Sequence, residues 1–250
     1  MPCLKSDSDT IRGRNTFYNY PVHGACPGQC ENCQSVSLQA FTLVEVLVCL
    51  AVIGILATLS IPTYIEAKAK VRSIQCSQNL KEWGIGTALF IHDSDGWLPV
   101  DGSSNGRSTK AGWYIDLPPY LNLPPYSQWS WRTNSSGRPP QSPYICPSNR
   151  RISDGINLFH YTLNRHVNGS GTGLRIRHDQ VRYPARTIWL FDNGRKAAVA
   201  SRSNLHTNIH SRGANLLLLD GHVENRNASD YLDPITQKHT LNIRDLRWYP

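Results

Sequence analysis

Between Phe41 and Ile61 nearly every residue is apolar, and Glu45 is the one charge in the run. As a helix rising about 1.5 Å per residue, this segment is roughly 30 Å long, enough to cross the hydrocarbon core of a bilayer. Past Pro62 the pattern changes. Ala67, Val71, Ile74, Leu80, Trp83 and Leu89 recur at helical intervals with Lys and Gln on the other faces, which predicts that the helix continues to about Ile91. Pro62 withdraws a backbone donor and is expected to bend the helix where the apolar half ends. Residues 100–150 are rich in Gly, Ser, Pro and aromatic side chains, as in Leu117-Pro-Pro-Tyr120 and Leu123-Pro-Pro-Tyr126. So much proline predicts ordered loops rather than long regular elements, pinned in place by the aromatics. Trp129 and Trp131 also form a candidate stacking platform for carbohydrate. From residue 158 short β-favouring runs follow, at Tyr161–Asn164, Thr187–Phe191 and Asn215–Leu219. Asp220-Gly221, between Leu216–Leu219 and His222–Arg226, predicts a hairpin through a type I′ turn, which needs positive φ.

A carboxylate inside an apolar helix costs about 2.5–3.5 kcal/mol on insertion scales, so Glu45 needs a partner or a function. No Lys or Arg lies within a turn or two of it. The six residues Ala40-Phe-Thr-Leu-Val-Glu45, followed by the apolar run, resemble the processing site of type IV pilins and type II secretion pseudopilins. Gly54 and Pro62 stand where helices of those families commonly carry a Gly and a Pro. The resemblance implies that a prepilin peptidase cuts between Ala40 and Phe41 and methylates the new amine. Glu45, fifth from the cut, would then pair with the N-terminal amine of a neighbouring subunit, and Phe41 would be the other assembly contact. It implies the fold as well: an α+β, pilin-like protein whose long N-terminal helix, transmembrane and then amphipathic, packs on an antiparallel β-sheet with a loop-rich insertion. Cys76-Ser-Gln-Asn-Leu-Lys-Glu-Trp-Gly, Phe90-Ile-His-Asp93-Ser-Asp95-Gly96-Trp-Leu-Pro99 and Cys146-Pro147-Ser148 are similar to a pilin-like group with a terminal His/Asp-Gly motif. His210, nine residues and then Asp220-Gly221 match that motif here.

On this reading residues 1–40 are a leader, or sequence upstream of the true start near Val22 or Val36. Residues 41–62 are the transmembrane and assembly half-helix, and 63–250 the globular head. The work implied is structural rather than enzymatic. The chain would be a subunit of a type II secretion pseudopilus or type IV pilus-like filament, self-assembling on an inner-membrane secretion or pilus platform. The head would lie in the periplasm of a bacterium. Lys68, Lys70, Arg72 and Lys81 after the helix argue by themselves for a cytoplasmic head, and the processing motif together with the Cys76 and Cys146 pair overrides them. The alternative is an adhesion or uptake pilin whose head binds polysaccharide or DNA. The net charge of +8 is compatible with such acidic ligands, but diffuse charge mainly aids solubility, and nucleic acid is not the expected partner.

The seven cysteines divide by location: four before the helix, Cys49 within it, and Cys76 and Cys146 after it. Outside the cytoplasm the last pair is a candidate disulfide. Cys26-Pro-Gly-Gln-Cys30-Glu-Asn-Cys33 has the spacing of a radical-SAM cluster motif, but the α/β barrel that such an enzyme needs cannot follow when an apolar helix starts within ten residues. No cofactor is expected. Asp93 and Asp95 are candidates for calcium, although Asp-Gly after a helix is foremost a turn signal. His206, His210, Asp192, Asp220 and His222 carry ligand and acid–base side chains, and Asp192, His210 and Ser211 could make a hydrolytic trio. The plainer reading is structural, with Asp220 making the turn and His210 bonding a nearby strand or loop.

Overall fold

A computed structural model describes residues 41–168, 175–210, 213–231 and 245–250. The leader, Ala40 and Ser211 lie outside the described residues. The chain divides after Leu50 into two compact units.

One helix, α1 (Leu43–Asp93), passes through Pro62 without interruption. It stops where Asp95 turns left-handed at φ 52° and the Gly96 amide donates to the Ile91 carbonyl at 2.9 Å. A bond spanning the last turn in this way satisfies carbonyls that the helix end would otherwise leave bare. Asp93-Ser-Asp95-Gly96 is therefore the helix stop. Neither aspartate joins a cluster of three ligating side chains among the described residues.

The buried face of α1 carries Cys76, Asn79, Leu80, Trp83, Gly84 and Thr87, spaced three and four apart. Ala67, Val71, Ile74 and Leu89, which share the same apolar periodicity, are exposed. Periodicity reports that a face is apolar, not what covers it. The face that meets the sheet begins only at Cys76.

Five strands form one sheet: β1 (Tyr161–Asn164), β2 (Ile188–Asp192), β3 (Val199–Ala200), β4 (Gly213–Leu218) and β5 (Val223–Asn227). Their order is β3-β1-β2-β4-β5. The pairs β1–β2, β2–β4 and β4–β5 are antiparallel, and β3 adds a short parallel edge to β1. The protein is thus α+β, with a long N-terminal helix and a mixed sheet, and fits a pilin-like fold.

Every residue of β2 and of β4 is buried, which accounts for the unbroken Leu216–Leu219 run. Leu217 and Leu219 pack with Leu80 and Trp83 of α1, while Leu216 and Leu218 pack with Tyr231, Leu246 and Trp248 on the opposite face. A register shift between Ile188 and Leu190 lets Trp189 and Leu190 both join the α1 side. The helix lies close to the sheet: a Cβ on Gly84 would sit 3.0 Å from the Leu217 side chain and 3.2 Å from the Gly221 carbonyl. A side chain there requires Leu217 or the Gly221 backbone to give by a few tenths of an ångström.

Between helix and sheet the chain makes only short turns, α2 (Trp113–Asp116) and three 3-10 turns between Pro118 and Arg132. Trp83, Trp113, Tyr114, Tyr126, Tyr144 and Phe159 hold them in one aromatic core, with Tyr126 stacked on Phe159 at 4.3 Å. Three of their polar tips find backbone carbonyls: Trp83 Nε1–H donates to Pro143 O at 2.9 Å, Trp113 Nε1–H to Ala198 O at 2.8 Å and the Tyr126 hydroxyl to Leu158 O at 2.7 Å. Trp131 belongs to this core, being only 7 % exposed, and its ring is tilted 45° from that of Trp129. The two do not form a flat exposed platform for a sugar. Asn79 reaches from α1 to the same insertion, donating from Nδ2 to Ile145 O at 2.8 Å. Asn79→Ala leaves that buried acceptor unmet and should cost about 1–3 kcal/mol, read as a lower urea midpoint at unchanged slope.

Candidate functional site

The first site is the start of α1. Thr42 caps the helix reciprocally with Glu45: the Glu45 amide donates to Thr42 Oγ1 at 3.2 Å, and Glu45 Oε2 accepts from the Thr42 amide at 2.8 Å and from its hydroxyl at 2.9 Å. This is a capping box, in which two otherwise bare amides are satisfied by each other's side chains. Glu45 therefore has a neutral partner in its own chain, which a search for Lys or Arg does not find; Thr-x-x-Glu was the pattern that carried it. One oxygen is used. Oε1 makes no hydrogen bond among the described residues. Phe41 is 80 % exposed, and the 18-residue apolar window of α1 has no part buried, so this surface is unpartnered within the chain.

The second site lies under the sheet. Cys76 of α1 and Cys146 are joined by a disulfide. Closing so long a loop, 70 residues in sequence, is worth about 4 kcal/mol on a chain-entropy account. Cys146 Sγ lies 3.5 Å from His210 Nε2, and the same nitrogen lies 3.1 Å from Asp192 Oδ2. A carboxylate only accepts, so Nε2 carries the proton. Asp192 Oδ2 also accepts from the Asn215 amide at 2.7 Å, tying the end of β2 to β4. His210 closes the turn into β4 through paired backbone bonds with Gly213, each 3.1 Å. Both side chains of the His210–Asp192 pair are fully buried.

His160 packs on the other side of Cys146, whose amide donates to His160 Nδ1 at 3.2 Å, while Nε2–H donates to Arg151 O at 3.1 Å. Burial pushes its imidazole down to about 4, so it is neutral. Cys76, Cys146 and His210 bring three ligand atoms within 4.8 Å of one another, but a disulfide offers no thiolate to a metal.

The remaining motif residues sit elsewhere. Asp220 Oδ1 accepts from the His222 amide at 3.1 Å and faces His222 Nδ1 at 2.6 Å. Partial burial pulls the His222 imidazole down, and the Glu224 and Asp220 carboxylates outweigh it, leaving the group above its ordinary value. The hairpin forms as expected, but not through a type I′ turn. Gly221 alone has positive φ, 93°, and its amide donates to Leu218 O at 3.0 Å. Those features fit a type I turn closed by a left-handed glycine, which needs one permissive residue rather than two. His210 and Asp220 are thus not partners: the first pairs with Asp192, the second with His222.

Residues 39–61 match the family model described as the prokaryotic N-terminal methylation motif. The motif supports a type IV pilin-like protein. It implies processing by a prepilin peptidase and filament assembly in general, and points to a structural rather than catalytic role. With the one helix among the described residues that is long and apolar enough to cross a membrane, it suits a single-pass inner-membrane anchor. No curated protein and no solved structure matches the chain.

Proposed function

We propose that this pilin-like chain is a structural subunit of a type IV pilus-like or type II secretion pseudopilus filament, with its head in the periplasm. The peptidase cuts between Ala40 and Phe41 and methylates the Phe41 amine. Residues 41–62 then serve as the membrane and assembly half-helix, and 63–250 as the head. The observation that carries this reading is the geometry of Glu45. Its Oε2 is held by Thr42, which fixes the carboxylate at the start of the helix, and Oε1 is left to accept from a positive group outside the chain. The methylated amine of an adjoining protomer supplies that group, and the desolvation cost of the acid is then offset by a charge-assisted bond. N-terminal sequencing and mass measurement of the membrane-extracted chain test the proposal. The expected product begins at N-methyl Phe41; a mature chain that retains residues 1–40 overturns it.

A further inference from the structure

Beside the disulfide, the turn Cys146–Asn149 opens onto a surface cleft of about 390 Å³ whose lining includes Ser148, Asn149, Arg150, Arg151, His206 and Ile209. The backbone beneath it is rigidly held. Asn149, 3 % exposed, donates from Nδ2 to Asn193 O at 3.4 Å and accepts the Arg151 amide on Oδ1 at 3.1 Å, and the Arg151 carbonyl takes the His160 bond. The charges are not balanced. Neither Arg150, Arg151 nor nearby Arg195 has a carboxylate partner among the described residues, and the two acids in the neighbourhood are already engaged, Asp154 by Lys196 and Asp192 by His210. Burial first, and the Arg195 charge second, lower the Arg151 guanidinium. Burial and then the Arg151 charge hold His206 below its ordinary value, against the pull of Asp192. Arg151 is half-buried, whereas Arg150 and Arg195 are exposed; a half-buried guanidinium with no carboxylate partner is better satisfied with an anion beside it.

We propose that this cleft binds a phosphate dianion, either free or as the terminal monoester of a larger ligand. Arg150 and Arg151 line the cleft and can each offer a planar pair of donors to phosphate oxygens, Arg195 adds positive charge beside Arg151, and His206 and the Ser148 hydroxyl offer neutral hydrogen bonds. A dianion matches the local excess of positive charge better than a single carboxylate does. This site is independent of filament assembly.

The test is calorimetric titration of the full chain in detergent with inorganic phosphate at low ionic strength. Saturable one-site binding is expected. Arg151→Gln should weaken it by about tenfold or more, Arg150→Gln should weaken it too in case the first variant fails to fold, and the exposed Arg186→Gln should bind as the parent does. A 5′-phosphorylated oligonucleotide that competes, while its unphosphorylated twin does not, identifies an esterified source. Competition by neither leaves free phosphate as the ligand. The proposal is overturned by absence of saturable binding, by parental affinity in both cleft variants, or by equal competition from the unphosphorylated strand or from a polyuronate.

Discussion

Glu45→Gln is expected to abolish filaments while leaving the protein in the membrane. Glutamine preserves the cap, because its side-chain oxygen can still accept from the Thr42 amide, so α1 should begin where it does now. What is lost is the charge. A charge-assisted hydrogen bond is worth about 1.5–3 kcal/mol, equivalent to roughly 10- to 150-fold in each subunit addition, and a filament requires that step at every subunit. Removing the acid also removes its desolvation cost, so insertion should be undisturbed or improved. The measurement is the ratio of sheared filament to membrane-bound protomer by immunoblot, with Thr42→Val alongside. The latter loses the hydroxyl but keeps the acid, and should reduce assembly less. Filament yields for Glu45→Gln equal to the parent would end the proposed role of the carboxylate.

The second large effect is expected from His210→Ala. It leaves Asp192 fully buried with the Asn215 amide as its remaining donor, and breaking a buried pair on one side costs about 3–5 kcal/mol. For a domain of this size that corresponds to a fall in melting temperature on the order of 10 °C. His222→Ala is the control, because its pairing with Asp220 and Glu224 is partly exposed and should contribute under about 1 kcal/mol. An unchanged melting temperature in His210→Ala would show that the buried pair does not stabilise the sheet.

The helix and most strands could be read from the chain because their cause is local. The Phe41–Ile61 run needs a helix to satisfy its backbone in lipid, and Leu216–Leu219 before Asp220-Gly221 needs a strand and a turn. The two-residue β3 was missed, having no periodicity to display. The outward turn of Val71 and Ile74 was missed too, since burial depends on where the sheet begins. At the sites, Glu45 was legible as an acid needing a partner, yet the Thr42 cap went unread although Thr-x-x-Glu is a local pattern. The pairing of His210 with Asp192 instead of Asp220 could not be read from spacing. It depends on β2 and β4 lying side by side, a contact between segments far apart in sequence. Whether Trp131 faced a ligand or the core rested on the same kind of long-range packing.

The disulfide between Cys76 and Cys146 has a mechanical consequence. The two cysteines are 70 residues apart, and that length of chain, pulled straight, would release about 240 Å. With the bond in place, tension travelling from the helix toward the final strands crosses from one sulfur to the other and bypasses the aromatic insertion. A protomer stretched along such a line could yield at its strands, but the segment between the cysteines would carry no load and add no slack.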